Sequence, residues 1–234
     1  MTEQNYISRT QKLLKTFDRS TARSQHVLIS RYGNEQMHLL IRECRDEYEA
    51  LIPQIPFIGH KNPFLIFLIP ASRYLAVYRA LRKKGLALEE AAQLIYLMNE
   101  AEWKALPLIL RRITSYLWFS PLFIRRVKKR AKESQAREHK GGYVLTFIEG
   151  DGQTFDYGLD YTDCAACKFL HQQGAPELAP LMCSFDKTAS DTLGWGLTRT
   201  TTLADGFQKC DFRFKKGGKT NITVAAFIKD VCKI

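Results

Sequence analysis

The pattern of apolar residues changes at Gly141, and this change constrains the fold more than any other feature of the chain. Before it, apolar residues recur at spacings of three and four, as in the stripe from Met37 to Leu51, which predicts amphipathic helices. After it, residues 143–148 alternate and are rich in aromatic and β-branched side chains, which predicts a strand. The sequence therefore predicts an α+β protein: an N-terminal helical unit packed against a small C-terminal antiparallel sheet with short helices.

This boundary divides the chain into a helical region, residues 1–140, and an α+β region that contains most of the cysteines, residues 141–234. The two regions can also form one integrated domain, because 234 residues are enough for one good core. Their charges differ. Residues 1–140 carry 25 Lys and Arg against 13 Asp and Glu, a net charge of +12, whereas residues 141–234 carry 10 against 11, a net charge of −1.

The positive charge is densest in residues 103–140, where an apolar and aromatic block precedes a run of Arg and Lys. Two interpretations fit this order. Residues 113–130 could make a peripheral contact with an acidic membrane surface, or they form one long helix, kinked at Pro121, whose first half is buried and whose second half is solvated. We favour the buried helix. No nucleic-acid partner is expected, because the stretch lacks the aromatic sheet or recognition helix of such proteins.

Four of the six cysteines lie between residues 164 and 210. The first thirty residues are polar and contain no signal peptide, which predicts a cytoplasmic protein. There, cysteines are expected as reduced thiols, metal ligands or catalytic groups rather than as disulfides. Cys44 lies on a helical stripe and is expected to be a packed thiol. Cys164 and Cys167 have the spacing of half a zinc ribbon, and without a second pair Cys167 is expected to be a spare thiol.

The cysteine-rich region also carries a specific series of motifs. In order these are Cys164, Cys183-Ser184-Phe185-Asp186, Arg199-Thr200, Leu203-Ala204-Asp205-Gly206 and Cys210-Asp211-Phe212-Arg213-Phe214. This series resembles the L-2-amino-thiazoline-4-carboxylic acid hydrolase family, and residues 76–85 are similar to its helical part. The resemblance implies a hydrolase of amino-acid metabolism. It would open a small cyclic amidine with C–N and C–S bonds, such as a 2-amino-thiazoline-4-carboxylate, to an N-carbamoyl cysteine.

Three residues have the chemistry that this reaction requires. Cys183 is a candidate nucleophile, provided that a cation or a helix N-terminus lowers its pKa. Asp186 follows it by three residues, so both side chains can face one cavity. Arg199 offers the planar guanidinium that suits the carboxylate of the substrate.

Three thiols of the same region offer a different chemistry. Cys164, Cys183 and Cys210 could hold one metal centre, either zinc or an iron–sulfur cluster, and leave a coordination position open. A thiolate nucleophile, a catalytic metal and a core of buried thiols therefore all remain open. An alternative function follows from the second of these, namely a non-enzymatic module that binds a metal or a partner. We expect the three sulfurs and Asp186 to face one pocket.

Overall fold

The computed structural model describes residues 6–59 and 62–231. The predicted N-terminal helical unit is confirmed. Its helices are α1 (Thr10–Leu51), α2 (Leu65–Lys83), α3 (Leu88–Lys104), α4 (Leu108–Trp118) and α5 (Pro121–Ser134). Helix α1 is interrupted at Gly33, whose φ of 73° belongs to a backbone conformation that residues with a Cβ rarely adopt. The stripe that begins at Met37 is buried, and Cys44 lies in the core with 1% of its surface exposed.

A five-stranded sheet forms the C-terminal part. Its strands are β1 (Val144–Glu149), β2 (Tyr157–Asp163), β3 (Thr198–Arg199), β4 (Cys210–Phe214) and β5 (Asn221–Ile222), in the spatial order β1-β2-β4-β3-β5. The first three pairings are antiparallel, as the sequence predicts, whereas β3 and β5 are parallel. The sheet is therefore mixed, because the chain crosses over β3 after β4 and its last short strand pairs on the far side of β3.

Two helices lie between β2 and β3 and connect the sheet to the helical unit. They are α6 (Ala165–Gln172) and α7 (Ala179–Leu193). Helix α6 packs on α2, and α7 packs on α3. The buried apolar side chains of both parts belong to one core, so the expected α+β packing is confirmed. The division at residue 140 stays a prediction.

The segment after α3 differs from the prediction of one long helix with a buried first half. Helix α4 ends at Trp118, and α5 begins at Pro121, which occupies the first helical turn behind the capping side chain of Ser120. Ile113 is 47% exposed and Tyr116 is 66% exposed, so the prediction of burial is wrong. Helical periodicity identifies the residues that share a face, and it leaves open whether that face meets the core or the solvent.

Candidate active site

A cavity of about 300 Å³ lies between the helical unit and the sheet. Its wall contains four cysteines, namely Cys164, Cys167, Cys183 and Cys210, together with Asp186. Most of the remaining wall is apolar or aromatic, with side chains from α2, α3, α7 and the sheet. A concave, largely apolar pocket with a few converging polar groups is the usual form of a small-molecule site. The cavity thus brings together Cys164, the pair Cys183 and Asp186, and Cys210 from three separate segments of the sequence, as we expected.

Cys164 occupies the N-cap position of α6, directly after β2. Its Sγ accepts a hydrogen bond from the backbone N–H of Cys167 at 3.5 Å. The thiol of Cys167 also lies within hydrogen-bonding reach of the thiols of Cys164 and Cys183. The hydrogen bond from the Cys167 thiol lowers the pKa of Cys164, and the N–H groups of Cys167 and Ala166 act in the same direction against its burial. Helix N-termini favour thiolates in this way.

The thiols of Cys167 and Cys210 have different surroundings. Interactions with the thiols of Cys164 and Cys183, together with burial, raise the pKa of Cys167. Cys210 begins β4, opposite Tyr161 of β2, and its Sγ accepts the N–H of Leu203 at 3.1 Å. Burial raises the pKa of Cys210 to about 12, so this thiol is protonated at neutral pH. The contacts of Cys164 thus favour its thiolate, whereas those of Cys167 and Cys210 favour the thiol.

Asp186 lies one helical turn after Cys183 on α7 and is held by Arg199 of β3. Nη1 of Arg199 donates to Oδ2 of Asp186 and, at 2.8 Å, to the backbone oxygen of Cys183. Nη2 donates to the backbone oxygen of Thr223 at 3.1 Å. Burial raises the pKa of Asp186 to about 6, although the guanidinium of Arg199 opposes this shift. The carboxyl group can therefore change its protonation state close to neutral pH.

Arg199 itself is 2% exposed and does not line the cavity. The sequence predicted that its guanidinium would bind a substrate carboxylate. In the structure the two Nη atoms are directed to Asp186 and to backbone oxygens, and the buried Nε has no hydrogen-bond partner within the described residues. These contacts place Arg199 behind Asp186 as a support for its carboxylate.

A second polar group on the cavity wall was missed by the sequence analysis. Nη2 of Arg73 donates to Oε2 of Glu102 at 2.7 Å, and the hydroxyl of Tyr74 donates to Oε1 at 2.8 Å. Asn99 adds a 3.3 Å bond to the hydroxyl of Tyr74. One signal was available: Arg73 is a charged residue inside the apolar run of α2. Its partner Glu102 lies on α3, and no pattern in the sequence indicates that pairing.

Cys167, which the sequence predicted as a spare thiol, lines the cavity beside Cys164 and Cys183. The metal centre expected from Cys164, Cys183 and Cys210 is not supported. Across residues 6–59 and 62–231, no group of three or more His, Cys, Asp or Glu side chains is arranged to hold a metal ion. The Sγ atoms of Cys164 and Cys210 instead accept backbone N–H groups. Neither zinc nor an iron–sulfur cluster fits this arrangement.

Comparison with known proteins adds a family to this geometry. The family model described as L-2-amino-thiazoline-4-carboxylic acid hydrolase matches residues 67–214. The matched segment begins in α2 and ends with β4, so it contains all four cysteines of the cavity, Asp186 and the Arg73–Glu102 pair. Comparisons with curated proteins and with solved structures gave no match.

Proposed function

Because the chain belongs to the L-2-amino-thiazoline-4-carboxylic acid hydrolase family, we propose that its cavity opens the ring of a 2-amino-thiazoline-4-carboxylate, with Cys164 as the nucleophile. The net reaction adds one water molecule. The bond breaks between the ring sulfur and the carbon that joins it to nitrogen. The sulfur and the ring nitrogen each take a proton, the water oxygen becomes a carbonyl oxygen, and the product is an N-carbamoyl cysteine.

The observation that carries the proposal is the position of Cys164 at the N-terminus of α6, in the same cavity as Asp186. The thiolate attacks the carbon between nitrogen and sulfur. When the ring C–S bond breaks, that carbon stays attached to Cys164 as an isothiourea. Water then adds to the same carbon, and the sulfur of Cys164 leaves as a thiolate. Covalent catalysis of this kind divides one difficult step into two easier ones.

Asp186 is proposed as the group that moves protons in both steps. In its protonated form it donates to the departing ring sulfur, and as a carboxylate it then takes a proton from the attacking water. A pKa of about 6 suits both roles. Arg199 is proposed as a positioning residue, because it holds Oδ2 of Asp186 and leaves Oδ1 without a hydrogen bond among the described residues.

The carboxylate of the substrate needs a cation other than Arg199. Arg23 of α1 is exposed, lines the cavity and forms no ion pair within the described part of the chain. We therefore expect Arg23→Gln to raise KM with little change in kcat, which marks lost ground-state binding. Arg199→Lys should instead lower kcat, because it loosens Asp186. If Arg199→Lys raised only KM, the carboxylate role predicted from the sequence would be right.

The identity of the nucleophile is tested with matched serine variants of the cavity cysteines. Turnover of L-2-amino-thiazoline-4-carboxylate is followed by mass spectrometry of N-carbamoyl cysteine. Cys164→Ser should lower kcat by at least about a thousandfold, whereas Cys210→Ser should keep most of the activity. Cys183 remains the nucleophile predicted from the sequence. Abolished turnover in Cys183→Ser, with an active Cys164→Ser, would assign the reaction to Cys183.

A second measurement keeps the site testable if this thiazoline is not turned over. Iodoacetamide labelling of the native protein, mapped by peptide mass spectrometry, should modify Cys164 first, because alkylation requires the thiolate. Buried Cys44 should stay unmodified, since burial raises its pKa to about 12. Preferential labelling of Cys183 or Cys210 would contradict the assignment of Cys164, independently of the substrate.

A further inference from the structure

The outer face of α4 is apolar although it meets solvent. Seven of the eleven exposed large hydrophobic side chains of the described residues lie between Leu108 and Leu122. Ile109, Ile113 and Tyr116 follow each other at spacings of four and three, so they share one helix face. Of the eleven residues of α4, Trp118 is the buried one. A helix of a globular protein normally turns its apolar stripe toward the core, so this stripe is oriented for a partner.

The next helix presents positive charge. Val127 and Ala131 of α5 are buried, and the opposite side carries a run of exposed Arg and Lys side chains. Within the described residues, Arg125 and Arg126 form no ion pair with a carboxylate. Only two residues, Phe119 and Ser120, separate α4 from α5. The apolar face of α4 and the basic face of α5 are therefore close neighbours.

A lysine from the sheet region adds to the same area. Nζ of Lys216 lies 5.5 Å from the centre of the Tyr116 ring, over its face. Apolar side chains, an interfacial tyrosine and unpaired cations are the combination found on helices that lie in the headgroup region of a bilayer. None of the helices in residues 6–59 and 62–231 has the length and apolarity needed to cross one.

We propose that the α4–α5 surface, residues 108–132, docks on a membrane surface that contains anionic lipids. The apolar face of α4 enters the boundary between headgroups and acyl chains, and the basic face of α5 contacts the negative headgroups. This proposal is independent of the hydrolase proposed above. Charge argues against a second copy of the chain as the occupant, because a symmetric contact would bring two basic faces together.

The surface also lies beside the cavity. Leu106, which lines the cavity, is two residues before the start of α4, and Trp103 of α3 lines it as well. Docking through α4 would therefore hold this part of the cavity wall close to the lipid surface.

Vesicle flotation of the full-length protein tests the proposal. Phosphatidylcholine vesicles with phosphatidylserine should carry the protein, vesicles of phosphatidylcholine alone should carry much less, and raised salt should release it. Arg125→Gln/Arg126→Gln should weaken binding roughly 25-fold, about fivefold for each charge. Ile109→Glu/Ile113→Glu should abolish flotation. Both pairs are exposed and form no core contact that folding would require.

Matched controls come from α1. Lys12→Gln/Lys15→Gln removes two exposed positive charges, and Leu39→Glu places a carboxylate at another exposed apolar position. Both control variants should float like the wild type. Absence of flotation of the wild type on anionic vesicles would overturn the proposal, and so would equal losses in the control variants. A wild-type dimer that Ile109→Glu/Ile113→Glu dissociates, seen by light scattering without vesicle binding, would assign the surface to a second copy.

Discussion

Two carboxylates face the same cavity, and each is paired with a buried arginine, yet their surroundings differ. Oε2 of Glu102 accepts hydrogen bonds from Arg73 at 2.7 Å and from Ser20 at 2.8 Å, while Oε1 accepts the hydroxyl of Tyr74 at 2.8 Å. Both carboxylate oxygens of Glu102 therefore accept hydrogen bonds, from the side chains of Ser20, Arg73 and Tyr74. Glu102 connects α1, α2 and α3, and its surroundings are those of a structural group.

Asp186 is less completely bonded. Arg199 donates to Oδ2, and Oδ1 accepts no hydrogen bond from the described residues. Burial raises the pKa of Asp186 to about 6, whereas Glu102 has three donors to stabilise its charge. The difference indicates that Asp186 has an oxygen free to contact a substrate, whereas Glu102 does not. Both carboxylates line the cavity and lie in the segment that the family model matches.

Removal of the Asp186 carboxylate should cause the largest change in rate. Asp186→Asn keeps the shape of the side chain but can neither donate nor take up the proton in the proposed steps. We expect kcat to fall about 10²- to 10⁴-fold, the usual contribution of a general acid or base. Asp191→Asn, an exposed position on the same helix, is the matched control. A rate within about threefold of the wild type in Asp186→Asn would place the catalytic carboxylate elsewhere.

Neutralisation of Glu102 should instead act on stability. Arg73 is 9% exposed in its side chain, so Glu102→Gln leaves a buried guanidinium without its counter-charge. Breaking such a pair costs about 3 kcal/mol or more of unfolding free energy, which urea denaturation followed by circular dichroism would measure. Glu100→Gln removes a partly exposed carboxylate two residues away, paired with the exposed Lys104, and should cost less than about 1 kcal/mol. Equal midpoints for the two variants would contradict the structural role of Glu102.

The pH dependence of the rate is a third measurement that should report on Asp186 and not on Glu102. The protonated form of Asp186 is required for the first step, and its pKa of about 6 means that this form is lost as pH rises. We expect kcat/KM to fall about tenfold per pH unit above this value. Arg199→Lys should move the inflection upward, since the hydrogen bond and the charge by which Arg199 lowers the pKa of Asp186 are weakened. An inflection unchanged by that variant would assign the titration to another group.

The sequence identified three of the four cysteines of the cavity and Asp186, since these residues carry the family motif. It did not identify the bond between Cys164 and Cys167, because that bond depends on where α6 begins. The N-cap of α6 is Cys164, so the backbone N–H of Cys167 meets its sulfur. Arg73 and Glu102 belong to different helices, and local pattern does not encode such a long-range pairing.

The fold shows the same limit. Helical periodicity and the strand-like alternation after Gly141 predicted the α+β class, and Pro121 correctly marked a break. The exposure of α4 could not be predicted, because an apolar stripe looks the same in sequence when it faces a core and when it faces a partner. Its orientation follows from Trp118, which stacks on Trp195 with ring centres 4.1 Å apart and holds the opposite face inward.

The smallest predicted effect concerns the link between the two carboxylates. Thr188, two residues after Asp186 on α7, donates to Oδ1 of Asn99 at 2.5 Å, and Asn99 donates to the hydroxyl of Tyr74, which binds Glu102. Thr188→Val removes the donor at nearly constant volume and leaves a buried amide oxygen unpaired. Stability should fall by about 1–2 kcal/mol, while kcat stays within about twofold of the wild type.

The effect of Thr188→Val on kcat decides whether the position of Asp186 depends on the hydrogen bonds around Glu102. Thr188→Ser keeps the hydroxyl and should recover most of the lost unfolding free energy, apart from the missing methyl group. If kcat of Thr188→Val fell together with its stability, whereas Thr188→Ser kept the rate, the chain of hydrogen bonds from Glu102 would be part of what positions α7. Asp186 would then depend on the opposite wall of the cavity as well as on Arg199. An unchanged rate leaves the positioning to Arg199, as its contacts with Asp186 and with the backbone of Cys183 indicate.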